Sequence, residues 1–483
     1  MPSGSGLYGF AVHFGKYALT VARTDDPRRH LPGVDSILSH PDLQKQITGM
    51  SPEFVAAVVR DLLSEMRQHI QDGEGVPSVD ATIRETVKRV AALRQRSLRR
   101  VINATGVILH TGLGRAPMSS EIARDVIDAV GYCSLEFDLE NGERGNRQTH
   151  VRDLLCRLTG AESALVVNNN AAAVFQTLNV LAYKREAIVS RGQLIEIGGS
   201  FRLPDIMARS GVKLVEVGTT NRTRLEDYAQ AISPKTALLL NAHASNYRIV
   251  GFTESVAIAA LAELGKKHEI PVIDDIGNGL LWDWTSFGLP AEPNARESLQ
   301  AGADLVLMSG DKALGGSQAG IILGKDKWIA RLEKSPLARV LRCDKLTLAA
   351  LAASLRLYLD RARVAEKVPV WQMLTVDRAT LQERATRVRD KLAPLANWTI
   401  LEIRDSESET GSGTLPAVML PSVAVCAVPR GLTAGVWASK LRDAEIPVIG
   451  IVRQNTFWMD MRTISDSDEH DLVRMIESVL KRG

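Results

Sequence analysis

The run Ser309-Gly-Asp-Lys-Ala-Leu-Gly-Gly316 places a lysine directly behind a strand-like apolar stretch, Asp304-Leu-Val-Leu-Met308. The flanking glycines let the backbone turn and let a ligand come close. A lysine in that setting is desolvated, and desolvation favours the neutral amine that attacks a carbonyl carbon. Lys312 is therefore a candidate imine-forming residue, against the plainer alternative of a lysine on an exposed turn. Two further strand ends shift that balance. Ala164-Leu-Val-Val167 runs into Asn168, Asn169 and Asn170 and then into an apolar helix start, Ala171-Ala-Ala-Val174. First-turn amides and the helix dipole make such a junction an anion site, although asparagines there serve equally well as helix caps. Pro271-Val-Ile-Asp-Asp275 ends another strand in acid. A carboxylate in that place either caps a following helix or holds the protonated ring nitrogen of a cofactor.

Taken together, an anion cradle, an acid and an amine follow one another on successive strand ends. Pyridoxal phosphate requires those three parts, for its phosphate, its pyridine nitrogen and its aldehyde. No glycine-rich dinucleotide fingerprint or P-loop competes with this reading, and the four cysteines form no C-x-x-C pair that would suggest zinc, an iron-sulfur cluster or a redox motif.

The elements that must position these residues are legible between Val101 and about Leu341. Short apolar runs rich in β-branched residues alternate with helical segments: Ala164-Val167, Ala187-Ser190, Lys213-Val217, Ala237-Asn241, Pro271-Asp274 and Asp304-Met308. That rhythm predicts an α/β fold on a mostly parallel sheet, with catalytic groups at the carboxyl ends of the strands. Residues 101–345 are read as this catalytic core and residues 346–483 as an α+β C-terminal domain with strands at Ser422-Val428, Pro447-Val452 and Thr456-Met461.

Ahead of the core, residues 1–30 show no periodic pattern and read as a flexible tail. Residues 31–100 read as a helical domain. Ser51-Pro52-Glu53 is a helix-start signature with Ser51 as cap, and Phe54, Val55, Val58, Val59, Leu62, Leu63, Met66 and Ile70 recur at helical spacing. A second helix is expected over Asp80 to Arg100, carrying Arg84, Lys88, Arg89, Arg94, Arg96, Arg99 and Arg100 against only Asp80 and Glu85. Such a face is either simply solvated or a place for a nucleic-acid backbone.

Composition sets the outer limits. The chain has 483 residues, 45% hydrophobic and 24% charged, the balance of a globular protein of about three domains. With 59 basic and 56 acidic side chains, the net charge of +3 excludes any argument for nucleic-acid binding from bulk charge. Four scattered cysteines argue against a disulfide framework, and no stretch approaches the ~18 apolar residues of a membrane span. A cytoplasmic location follows as the expectation.

Several long motifs resemble bacterial selenocysteine synthase, the L-seryl-tRNA(Sec) selenium transferase family. They are Asn103-Ala-Thr-Gly-Val-Ile-Leu-His-Thr-Gly-Leu-Gly-Arg115, Val167-Asn-Asn-Asn-Ala-Ala-Ala173, Ser190-Arg-Gly-Gln-Leu-Ile-Glu-Ile-Gly-Gly199, Glu216-Val-Gly-Thr-Thr-Asn-Arg-Thr223 and Ser309-Gly-Asp-Lys312. The similarity runs from about Leu31 to the C-terminus. It implies a fold-type I pyridoxal phosphate transferase, a ring-shaped homodecamer and an N-terminal domain that holds tRNA. Lys312 becomes the lysine that carries the cofactor, Asp275 the partner of its ring nitrogen, and Asp311 a second active-site acid. Asn168, Asn169, Asn170 and Ser245 fall at cofactor-binding positions. Arg147, Arg339 and Arg342 match the arginines of a selenophosphate site, with Arg115 also on the substrate side. Thr219 and Thr220 match a pair implicated where dimers meet in the ring.

The reaction so implied converts L-seryl-tRNA(Sec) to L-selenocysteinyl-tRNA(Sec), by β-elimination to an aminoacrylyl-tRNA intermediate and then addition of selenium from selenophosphate. A small-molecule pyridoxal phosphate lyase acting on an amino acid or amino sugar is the alternative, and residues 31–100 tip the choice. Paired guanidinium groups suit bidentate capture of a tetrahedral oxyanion, and a spacing of three predicts that Arg339 and Arg342 share one face of a helical turn. The competing reading pairs them with Asp344 or Glu333. Three positions depart from the family: Gln193 for Glu, Asn278 for Ser and Ser317 for Pro. His243, in His243-Ala-Ser-Asn-Tyr247, is either part of the site or a satisfied core histidine.

Overall fold

The structure, a computed structural model, describes residues 26–94, 96–198 and 201–481. The chain folds as two units, residues 1–99 and 100–483. Of the stretch expected to be a flexible tail, residues 1–25 lie outside the described residues. Pro27–His30 form a 3-10 turn capped by Asp26, whose carboxylate accepts from Arg28 N at 3.1 Å.

The first unit is helical. Val34–Leu38, Pro41–Gln46, Pro52–Gln71 and Val79–Arg94 enclose a small core of Ile37, Leu43, Val55, Val59, Leu63 and Val90. Pro52 occupies the first turn, where its missing amide costs nothing, and the helix stops at Asp72 before Gly73. Two details differ from the expectation. The Ser51 hydroxyl donates to Glu53 and makes no cap bond, and Phe54 remains half exposed at the start of the helix. The second helix ends at Arg94, so Arg96 and Arg99 lie beyond it. Arg100 belongs to the other unit, where it pairs with Asp468 at 2.5 Å and Asp471 at 2.7 Å. Arg89 is paired with Glu65 and Glu85, and Arg94 donates to the Thr48 carbonyl. These partners remove several cations from the expected basic face.

The second unit is built on a seven-stranded sheet. In spatial order its strands are Ser163–Val167, Gly320–Gly324, Leu305–Ser309, Val272–Gly277, Thr236–Ala242, Glu186–Ser190 and Lys213–Val217. Six of these match the predicted runs to within a few residues. The seventh, Gly320–Gly324, has no counterpart among those runs: it lies antiparallel between Ser163–Val167 and Leu305–Ser309, while the remaining pairings are parallel. Five strands are buried along nearly their whole length, because helices cover both faces and apolar side chains must point both ways.

Beyond the sheet, the helix Lys345–Leu357 buries Leu348, Leu351 and Leu355 in the same apolar cluster as Val306, Met308 and Ile321 of the sheet. The C-terminal part then forms a four-stranded antiparallel sheet in the order Thr399–Glu409, Met419–Pro429, Thr456–Asp460, Ile451–Arg453. Helices Arg378–Leu392, Ala434–Arg442 and Asp466–Lys481 contribute to its core. A short parallel pairing of Ile102–Asn103 with Val448–Ile449 ties the beginning of this unit to its C-terminal part.

Candidate active site

Three strand ends of the large sheet bring Lys312, Asp275 and Asn170 together. Val272–Gly277 carries Asp275, Ser163–Val167 leads into the asparagines, and Leu305–Ser309 leads into Lys312. Asn170 donates from Nδ2 to Asp275 Oδ1 at 2.9 Å. A Cβ built on Gly277 would stand 3.9 Å from Asp275 Oδ1 and 4.0 Å from Lys312 Nζ, so glycine leaves the gap between acid and amine open.

Electrostatics follow from this enclosure. Lys312 is buried, and desolvation lowers its pKa against the pull of Asp275 and Asp311, with Arg115 adding to the decrease. Asp275 is pushed up to about 6 by burial, which outweighs the Asn170 hydrogen bond and the Lys312 charge. Both groups are thus biased toward their neutral forms, and a neutral amine is the one that attacks carbonyl carbon. Arg115 lies 2.5 Å from Asp311 Oδ2, which places that pair immediately beside Lys312 in the chain.

The three asparagines separate in function. Asn169 caps the helix Asn170–Ala182 by accepting from Ala172 N at 2.9 Å. Asn168 is exposed, and its amide donates to the Leu341 carbonyl at 2.9 Å. Of the three, Asn170 alone bonds to the acid. Ser245 is buried with its Oγ lacking a partner, as are Asn170 Oδ1 and His243 Nδ1. His243 sits behind the acid, its amide donating to the Asp275 carbonyl at 2.9 Å, and its pKa is lowered by burial and by the Lys312 charge.

The arginines divide as well. Arg147 is largely buried, bonded to Glu136 at 2.5 Å and to the Cys343 carbonyl at 2.7 Å. Arg342 immediately precedes Cys343 and forms a backbone bridge with Val167. The helix Pro336–Val340 ends before it, so Arg339 and Arg342 do not share a helical turn as expected; the bridge and the Asn168–Leu341 bond draw the chain out of helical geometry. Both residues are exposed and have no carboxylate partner among the described residues. Glu333 is taken by Arg152, and Asp344 caps the following helix.

Thr219 and Thr220 lie on an exposed turn, the Thr219 hydroxyl bonded to the Arg222 carbonyl at 3.0 Å. Ser317 donates to the Thr347 carbonyl at 2.8 Å and Asn278 to the Pro293 carbonyl at 2.8 Å, both as local structure. Beside His243 opens a cavity of about 710 Å³ lined by Gln193, Asn241, His243, Arg248 and Glu292. Glu292 is a site residue that sequence reasoning does not find. It is a buried carboxylate 3.9 Å from His243 Nε2, raised in pKa by burial, and its loop carries no motif. Asn241 ends a predicted strand, and a polar residue at that register was the available signal.

These residues fit pyridoxal phosphate. The neutral-biased amine suits its aldehyde, the buried acid its ring nitrogen, and the buried unpaired atoms of Asn170 and Ser245 are polar groups awaiting a ligand. The solved structure of D-glucosaminate-6-phosphate ammonia-lyase superposes with a TM-score of 0.54 at 20% identity, covering 80% of this chain and 96% of that one, which gives the fold as fold-type I. The L-seryl-tRNA(Sec) selenium transferase of Carboxydothermus hydrogenoformans is 44% identical over 461 residues, 94% of this chain and 97% of its own. That of Haemophilus influenzae is 43% identical over 445 residues, 91% and 96% of the two chains. The family described as selenocysteine synthase N terminal matches residues 28–67, and the one described as L-seryl-tRNA selenium transferase matches residues 101–465. This chain belongs to the L-seryl-tRNA selenium transferase family.

Proposed function

We propose that this enzyme converts L-seryl-tRNA(Sec) to L-selenocysteinyl-tRNA(Sec) with selenophosphate as selenium donor. The observation that carries the reading is the grouping of Lys312, Asp275 and Asn170 in a chain similar along nearly its whole length to selenium transferases. When bound, pyridoxal phosphate supplies an electron sink that acidifies the seryl α-proton and lets the β-hydroxyl leave. Lys312 would hold its aldehyde, Asp275 the proton of its ring nitrogen, and Asn170, Ser245 and the first turn of the helix after Asn169 its polar periphery.

The residues then divide the work. Lys312, its pKa lowered by burial, takes the seryl α-proton as general base. Asn170 orients the Asp275 carboxylate, and Arg115 fixes Asp311 next to the lysine. Arg339 and Arg342, with no carboxylate partner among the described residues, hold the oxyanion of selenophosphate, and Arg147 braces the Cys343 segment that Arg342 adjoins. Residues 31–100 form the tRNA-binding domain, residues 101–345 the catalytic core and residues 346–483 the C-terminal domain. We place the enzyme in the cytoplasm as a homodecamer. No helix of the described residues is long and apolar enough to cross a membrane.

The test is an absorbance spectrum of the purified protein, borohydride reduction and mapping of the labelled peptide. The label is expected on Lys312 and absent from Lys312→Ala. Filter binding of seryl-tRNA(Sec), expected to be salt-sensitive and lost on deleting residues 1–100, tests the substrate. A protein that labels at Lys312 but ignores tRNA is a small-molecule lyase, and the proposal fails.

A further inference from the structure

Four residues in and behind the cavity wall form a single file of hydrogen bonds. Ala242 N donates to Gln193 Oε1 at 3.2 Å, Gln193 Nε2 donates to Asn241 Oδ1 at 2.5 Å, and Asn241 Nδ2 donates to Asp274 Oδ1 at 2.7 Å. The direction of the file is fixed at both ends. A backbone amide can only donate, so Gln193 must turn its oxygen to Ala242 and its nitrogen to Asn241. Asp274 in its ionised form can only accept, and in that form Asn241 must turn its nitrogen to Asp274 and its oxygen to Gln193. The two requirements agree, and every link is satisfied. Asp274 and Ala242 are both almost fully buried, so water does not replace a lost link at either end. Burial raises the pKa of Asp274, and the hydrogen bonds from Ser298 and Asn241 oppose that rise by favouring its ionised form.

We propose that Asp274 is a positioning residue for Gln193: through Asn241 it sets the polarity of this relay and so admits only a hydrogen-bond donor at position 193 of the cavity wall. A carboxylate at 193 would still accept from Ala242, but its second oxygen would meet Asn241 Oδ1. Turning Asn241 over merely moves the conflict to Asp274. A carboxyl group at 193 therefore needs one added proton, on itself or on Asp274, whereas an amide at 274 supplies the missing donor and lets Asn241 turn. The cavity wall at this point stays neutral for this reason, whatever reaction occurs beside it.

The inference goes beyond the proposed reaction, and its readout is thermal unfolding of the full chain as purified with its cofactor. Gln193→Glu is expected to melt like wild type near pH 5 and roughly 3–6 °C lower near pH 8. The sign follows from linkage: the relay raises the pKa of the introduced carboxyl, so stability is present below the unfolded value and lost as pH rises through the folded one. The other titratable and charged groups on this cavity, His243, Arg248 and Glu292, and Asp275 behind it are common to every variant, so each comparison is made with wild type at the same pH. Gln193→Ala is expected to lose stability equally at both pH values, because it breaks the link without adding a titrating group. Asp274→Asn is expected to melt like wild type, and the double variant Gln193→Glu with Asp274→Asn to lose the pH dependence. A Gln193→Glu penalty that is flat between pH 5 and pH 8, or that persists unchanged in the double variant, overturns the proposal. Should the Asp274 variants not fold, the comparison of Gln193→Glu with Gln193→Ala still decides it.

Discussion

Asn170 Nδ2 lies 2.9 Å from Asp275 Oδ1, and this bond joins the helix that opens behind one strand to the acid at the end of another. Asn170→Ala removes it and leaves Asp275 with less to offset its burial, so its pKa rises above about 6. The acid then holds a ring nitrogen less well as an anion. Pyridoxal phosphate affinity is expected to fall about tenfold, a loss near 1.4 kcal/mol, measured by fluorescence titration of the cofactor-free protein.

Asp275 itself predicts a pH signature. Its pKa is raised from 3.8 to about 6, so the folded cofactor-free protein prefers the neutral acid. That contribution is fully present below pH 3.8 and is lost as pH rises through about 6. Cofactor-free Asp275→Asn is therefore expected to be more stable than the parent at pH 8, by about 1–3 kcal/mol, with the difference closing toward pH 4. Urea midpoints at the two pH values check it.

Arg115 acts on Lys312 through its charge, which adds to the lowering of the lysine pKa that burial causes. In Arg115→Ala the lysine is expected to hold its proton to higher pH, and the rate of borohydride-reducible adduct formation to need a more alkaline buffer for the same value. An unshifted pH profile would show that Arg115 serves only to hold Asp311.

The remaining arginines separate by experiment as they do by packing. Arg339→Ala and Arg342→Ala break no ion pair among the described residues and are expected to leave stability within about 0.5 kcal/mol of wild type while raising KM for selenophosphate. Arg147→Ala leaves Glu136 with Arg144 alone and takes the Arg147 bond from the Cys343 carbonyl, and is expected to cost about 1–3 kcal/mol as well. Chemical denaturation alongside steady-state kinetics distinguishes the two patterns.

Gly320 supports the site from below. A Cβ there would come within 2.1 Å of the Asn169 carbonyl oxygen, so Gly320→Ala must displace the turn that bears Asn169 and Asn170. The expected result is a loss of about 2 kcal/mol or more together with weaker cofactor binding, seen in melting and titration.

Six strands of the large sheet are readable because each is a short apolar run, in most of which β-branched residues recur, and most are closed by Gly, Asn or Asp. Gly320–Gly324 escapes because it follows the glycine-rich lysine turn so closely that its apolar core is only Ile321, Ile322 and Leu323. Thr399–Glu409 escapes for the opposite reason: beyond Ile403 it carries Arg404, Asp405, Glu407 and Glu409, charged residues on both faces, so no apolar alternation continues. Lys312, Asp275 and Asn170 are legible from strand ends alone. Which asparagine caps and which faces the acid depends on side-chain direction, and Glu292 reaches His243 from a loop with no local pattern.

The pairing of Ile102–Asn103 with Val448–Ile449 has a consequence for biosynthesis. Ile102 is fully buried, and the partners that enclose it emerge from the ribosome hundreds of residues after it. During translation this early segment has nowhere to dock until they appear. Emergence of that late stretch, rather than completion of the seven-stranded sheet, is then the event that allows the polypeptide to reach its protease-resistant form.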